Sequence, residues 1–113
     1  MAAIANLTID QGASFSSDVT VKDANGNAFD LTGYTASAKM AKGYSSTRTR
    51  TSLTCTISTP ATSGIVTLAL TADQTGALDD GRYVYDLEIL QTSSSTITRV
   101  IEGIITVRPQ VTT

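Results

Sequence analysis

The pentapeptide Asp79-Asp80-Gly81-Arg82-Tyr83 is where residue types and spacing in this chain come nearest to a chemical site. Adjacent carboxylates ahead of a tyrosine could serve acid–base chemistry, which needs one group to give a proton and another to take it. In a turn, however, such a pair solvates or caps, and no catalytic role is assigned to it. Asp86 and Glu88 stand two apart, on one outward strand face, and read as a solvated face. Asp23, Asn25, Asn27 and Asp30 offer oxygens in one loop, but they miss the EF-hand spacing and its terminal Glu, so calcium is not expected. The chain has no histidine and one cysteine. A serine or cysteine nucleophile would therefore lack an imidazole base, and zinc would lack its usual ligands. The expectation is a non-enzyme that binds no metal, nucleotide or other cofactor.

The same pentapeptide carries a structural signal. Asp79, Gly81 and Tyr83 have the Asp-x-Gly-x-Tyr spacing of a tyrosine corner, in which the tyrosine hydroxyl bonds back to backbone a few residues upstream. Tyr85 stands where an antibody domain would carry its second cysteine, and the chain has no tryptophan. The spacing thus points to the sandwich architecture rather than to antibody domains. Cys55 alternates with Leu53 and Ile57 and reads as a small core residue. A second signal is electrostatic. Lys39, Lys42, Arg48 and Arg50, half of the eight basic residues, fall within twelve residues that contain no acid. They are the candidate contact with an acidic partner.

Those residues must be held by elements, and composition sets what kind. A length of 113 residues predicts one domain with one core. The formal charge of −2 and pI of about 4.8 argue against nucleic acid, which selects a basic face. The 20 threonines suit strands and the 12 serines suit turns. A lone cysteine cannot form an intrachain disulfide, which fits assembly in a reducing cytosol. No apolar run reaches about 18 residues, so no membrane span is predicted. The N-terminus has neither the basic start nor the apolar stretch of a signal peptide, and the Asn6-Leu7-Thr8 sequon is expected to stay unmodified.

The hydrophobic period is 2 almost throughout. Strands are predicted near residues 5–10, 14–22, 34–42, 50–58, 65–70, 82–90 and 96–107. Phe15, Val19 and Val21 share one face of the second; Ala36, Ala38 and Met40 face inward on the third, against Ser37, Lys39 and Ala41. Residues 23–27 read as a tight turn and 93–95 as a hairpin. Thr71 followed by Gln74 has capping-box spacing, so one short helical turn is predicted near 71–78, with Leu78 dropped into the core. The phase of the last strand slips near Gly103, where a bulge is expected. Seven short strands with turns about every ten residues make an all-β, immunoglobulin-like antiparallel sandwich, a single domain over 1–113 with short extended tails at 1–6 and 109–113. Its core should hold Tyr83, Val66, Leu68, Leu70, Leu87 and Ile89.

Three stretches, LTIDQGASFSSDVTVKDANGNAFDLTGYTASAKMAK, ATSGIVTLALTADQTGALDDGRYVYDLEI and RVIEGIITVRPQVT, resemble small virion structural proteins of tailed phages, a family familiar among phages of marine cyanobacteria. The Asp30-Leu31-Thr32-Gly33-Tyr34 turn is also similar to one in the N-terminal module of upper baseplate proteins from phages of Gram-positive bacteria. With Gly81 to Asp86 it is the most specific part of the likeness. The resemblance implies localisation to the virion and binding to other virion proteins, with no nucleic acid or membrane partner. Capsid decoration on the major capsid protein comes first and a tail, neck or baseplate adaptor second; a homo-oligomer on the particle would fit either. The alternative of another class is a carbohydrate-binding module, for which only Tyr44 reads as an available stacking platform. Both tails are expected to be loose in the free chain and able to add a strand to a neighbour's sheet edge.

Overall fold

The computed structural model describes residues 3–43 and 49–111. Among these described residues eight strands form: β1 (Ala3–Ile4), β2 (Leu7–Asp10), β3 (Phe15–Thr20), β4 (Tyr34–Ala41), β5 (Thr51–Ile57), β6 (Ile65–Leu70), β7 (Gly81–Gln91) and β8 (Thr96–Arg108). A 3-10 turn at Ala61–Ser63 and a short helix α1 at Ala72–Gly76 interrupt them. The strand order is β1-β8-β7-β4-β5-β6-β3, with β2 also on β8. β5 belongs to both layers. Its first half pairs with β4 (Leu53 with Ala38), and its second half, Thr54 to Ile57, pairs with β6. The sheet thereby folds over on itself into a sandwich. β1 and β2 run parallel to β8, while the other ladders are antiparallel. This is an immunoglobulin-like β-sandwich, with α1 at the place where a helical turn was expected and the 3-10 turn as a second one.

The core is the sum of the period-2 faces. Val66, Leu68, Leu70, Tyr83, Tyr85, Leu87 and Ile89 are buried from β6 and β7, and Ile101, Ile105 and Val107 from β8. Burying side chains of this kind contributes about 1.5–3 kcal/mol each. Local chemistry fixes the ends. The Thr71 side chain accepts from the Gln74 backbone N–H at 3.2 Å and the Gln74 side chain accepts from Thr71 N–H at 2.8 Å, the reciprocal cap its spacing predicts. Leu78 follows into the core. Thr75, fully buried, donates to the Ala13 carbonyl and accepts from Gly12 N–H, tying α1 to the β2–β3 loop. In the Asp30–Tyr34 turn, Asp30 accepts from Thr32 N–H at 3.0 Å, Leu31 is buried, and Tyr34 meets Phe29 edge to face at 5.4 Å.

Four expectations need correction. The bulge is at Val100, not Gly103: Leu87 pairs with Ile101 while Glu88 pairs with Arg99, which leaves Val100 unpaired. Residues 3–6 are not a loose tail. β1 is hydrogen-bonded to β8, Ala5 N–H donates to Glu102 at 3.0 Å, and the Tyr85 hydroxyl donates to the Ala5 carbonyl at 2.5 Å. Gly103 has its own reason to be glycine, because a Cβ there would run into the Ala5 carbonyl oxygen. Ala41 points outward by parity yet is buried, among the residues lining a groove on that face. Cys55 is only half-buried, with its thiol donating to the Leu53 carbonyl at 3.6 Å at the place where β5 leaves one layer for the other. At the other end, residues 109–111 are exposed outside any strand, and Gln110 N–H donates to the Gln11 side chain at 3.0 Å.

Candidate partner-binding face

The corner at the head of β7 forms as its spacing predicts. Tyr83 Oη donates to the Asp79 carbonyl at 2.8 Å across a buried ring. Gly81 opens the strand at φ +121°, a conformation that side chains rarely adopt. Burial, followed by the Asp79 carboxylate, pushes the Tyr83 hydroxyl pKa up. Lys42 completes the corner from β4's end. Its ammonium lies 5.1 Å from the Tyr83 ring centroid and donates to the Asp80 carbonyl at 2.7 Å. The role of Asp79, Gly81 and Tyr83 is structural, and Lys42 is drawn into it.

Only part of the basic group therefore faces outward together. Lys39 lies on the outward face of β4, directly across from Asp86 on β7. Arg50 and Lys39 line a shallow groove of about 290 Å³, together with Ser37, Val84, Asp86 and Glu88. Arg48 lies outside the described residues, as does Tyr44. The window from 39 to 50 lacks acid only along the chain. Across the sheet, β7 supplies two carboxylates, so this region of the surface is mixed rather than basic.

The bulge at Val100 organises the rest of the face. In a regular strand, residues three apart point to opposite sides. The extra residue cancels that alternation, and Arg99 and Glu102 both face outward. The Arg99 guanidinium lies 3.2 Å from Asp86 and 3.6 Å from Glu102. Around this network sit three exposed isoleucines: Ile4 at 75%, Ile97 at 62% and Ile104 at 39%. By register, Ile104 pairs with Val84, Ile97 with Leu90 and Ile4 with Glu102, so all belong to one outer face across β1, β8, β7 and β4. Sequence reasoning missed Arg99 and the isoleucines. The signal was there, since Ile97 and Ile101 are an even number apart yet point to opposite faces, but only the bulge position assigns the sides.

Among the described residues, no three of the Asp, Glu and Cys side chains gather as metal ligands would. Asp23 accepts from the N–H groups of Asn25 and Asn27 at 2.9 and 3.0 Å, which commits its carboxylate to the turn. Burial pushes the Cys55 thiol pKa up, away from nucleophilic character at neutral pH. Of the tyrosines described, Tyr83 and Tyr85 are buried and Tyr34 is half-buried against Phe29. No helix of the described residues is long and apolar enough to cross a membrane.

No protein-family profile matches the chain, and no curated protein matches it. Among solved structures, the Lin-41 filamin domain is similar at 19% identity over 89% of this chain and 82% of that one, with a TM-score of 0.47. InlP of Listeria monocytogenes is similar at 14% identity over 95% of this chain, with a TM-score of 0.49, and the chain spans 28% of InlP's length. Both likenesses are distant. The assignment of the fold rests on the strand order, the crossing of β5 between layers and the tyrosine corner.

Proposed function

We propose that the protein is a non-enzymatic structural component that binds other proteins, working in a virion as a capsid decoration protein. The observation that supports binding is the outer face of β1, β8, β7 and β4, where exposed Ile4, Ile97 and Ile104 ring the Arg99–Asp86–Glu102 network. Interfaces of this type combine apolar anchors with charges that orient the partner. The virion setting rests on the sequence resemblance carried by the Asp30–Tyr34 turn and by Gly81 to Asp86. A compact sandwich suits repeated placement on a shell, where many weak contacts add up.

The test is quantitative gel analysis of purified particles. Decoration requires the chain on the order of hundreds of copies per particle, and a tail, neck or baseplate adaptor requires tens or fewer. Absence from particles would overturn the reading. Ile97→Glu should leave stability within about 0.5 kcal/mol, because the residue is a surface one, yet weaken incorporation. Normal incorporation of both Ile97→Glu and Ile104→Glu would remove this face from the account.

A further inference from the structure

The chain has three asparagines, and they sit in different chemical situations. Asn6 commits its side-chain oxygen to the Ile104 N–H at 3.1 Å, and Leu7 after it pairs with Ile105 in the sheet. Asn27 is followed by Ala28, which is bridged to Lys22. Asn25 is followed by Gly26. Both residues are exposed, and a Cβ at Gly26 would meet nothing within 4 Å. The Asn25 backbone N–H donates to the Asp23 side chain at 2.9 Å, but among the described residues nothing bonds the Asn25 side-chain amide.

That combination is reactive. A backbone nitrogen attacks the side-chain amide carbon of the residue before it, closing a five-membered ring, when no side chain shields the nitrogen and neither group is held. Glycine removes the shield and gives the backbone the freedom that the ring needs. The Gly26 N–H is restrained by donating to the Asp23 carbonyl at 3.0 Å. This bond lies in an exposed turn, and such turns open locally while the core stays folded. The neck below the turn is fixed separately. Asp23 N–H donates to the Asn27 carbonyl at 2.8 Å, Phe29 N–H to the Val21 carbonyl at 2.9 Å and Val21 N–H to the Gly64 carbonyl at 2.7 Å, and Val21 is buried. The tip can therefore change covalently without loosening the sandwich.

We infer that Asn25–Gly26 is a self-modification site, at which the folded chain converts a neutral amide into a carboxylate with water as the co-reactant. The Gly26 nitrogen gives its proton to hydroxide and forms a bond to Asn25 Cγ. The amide nitrogen leaves that carbon as ammonia, taking a proton from water. Water then opens the resulting succinimide at one of its two carbonyls. One opening leaves aspartate at position 25. The other leaves isoaspartate, in which the main chain runs through Cγ and is one carbon longer. In sum, amide plus water gives carboxylic acid plus ammonia, and nothing is oxidised or reduced. The step adds one negative charge to the formal −2. The new carboxylate arises beside Asp23, which already accepts from the N–H groups of Asn25 and Asn27. Like charges so close disfavour the turn, so conversion opens the tip while the neck holds. This inference stands apart from the virion reading, because it is tested on the purified chain alone.

The purified chain is incubated at mildly alkaline pH, folded and, in parallel, in denaturant. The tryptic peptide that follows Lys22 is then separated, and its acid forms are located by mass-spectrometric fragmentation. The expected result is an amide form that declines into two acid forms, aspartate and isoaspartate, with the change at position 25 and not at 27. The folded chain should convert at a rate within about tenfold of the denatured one, the range that an opening cost of at most about 1.4 kcal/mol allows. The rate should rise with hydroxide concentration and be largely lost in Gly26→Ala. Hydrogen exchange on the converted chain should show the Asp23 and Asn27 N–H groups freed and the β7–β8 ladder still protected. Persistence of the Asn25 amide in the folded chain, whatever happens in denaturant, would overturn the inference, as would equal conversion of Asn27.

Discussion

The hydroxyl groups of Tyr83 and Tyr85, successive inward residues near the start of β7, do similar work, each closing a backbone carbonyl that the ladders leave over. For Tyr83→Phe the Asp79 carbonyl can turn to water, so the loss is a single neutral hydrogen bond, about 1 kcal/mol. Thermal unfolding should show this as a drop of about 3–6 °C in Tm. Tyr85 gives a pH signature. Burial raises its pKa from 10.0 to about 12. A folded-state pKa raised above the unfolded value means that the contribution is complete below pH 10 and is lost as pH rises toward 12. Denaturant midpoints should therefore fall across that alkaline window, and Tyr85→Phe should flatten the fall. An unchanged slope in the variant would place the alkaline loss elsewhere. Asp30 has the opposite sign. Hydrogen bonds from Thr32 lower its pKa, so its contribution is present above the ordinary aspartate range and lost as the solution is acidified.

At the scale of elements, the N-terminal strand pair and the bulge are where small changes have large consequences. Gly103→Ala sets a methyl group against the Ala5 carbonyl, a backbone atom that cannot rotate away. The substitution should cost about 1–3 kcal/mol, or else release residues 3–6. Hydrogen exchange separates the two outcomes, because release frees Ala5 N–H while the β7–β8 ladder stays protected. Equal protection of Ala5 N–H in both proteins would show that the close approach is not needed. These are also the elements least legible in the sequence. The alternation of Val66, Leu68 and Leu70, and of Tyr83, Leu87 and Ile89, announced β6 and β7 almost to the residue, and Thr71 with Gln74 announced α1. Each of those signals is local. β1 is not local: Ala3 and Ile4 are strand only because β8, nearly a hundred residues away, offers them a groove. The phase slip in the sequence of the last strand points to Gly103, whereas Gly103 answers to a packing demand and Val100, an ordinary strand residue, absorbs the register shift. The basic window misled for a similar reason, as charge counted along the chain omits Asp86, which only the β4–β7 pairing brings opposite Lys39.

Over the whole molecule, the ladders join distant parts of the chain, with β2 on β8 and β3 on β6. Loop closure must precede such pairing, so refolding should be slow for this size, in the millisecond to second range. Stopped-flow fluorescence of the tyrosines would show it, and complete refolding in microseconds would contradict the topology. The parallel pairing of β2 with β8 has a mechanical consequence as well. The two strands point the same way, with Ala3 beside Ile101 at one end and Asp10 beside Arg108 at the other. A pull on the two chain ends in opposite directions slides β2 along β8 and loads their hydrogen bonds together, in shear. If the second handle is moved to the β7–β8 turn, the pull opens the sheet from one side and the same bonds carry the load one after another. The protein should therefore resist force far better when stretched by its ends than when peeled, as a linker between neighbours under tension would need to.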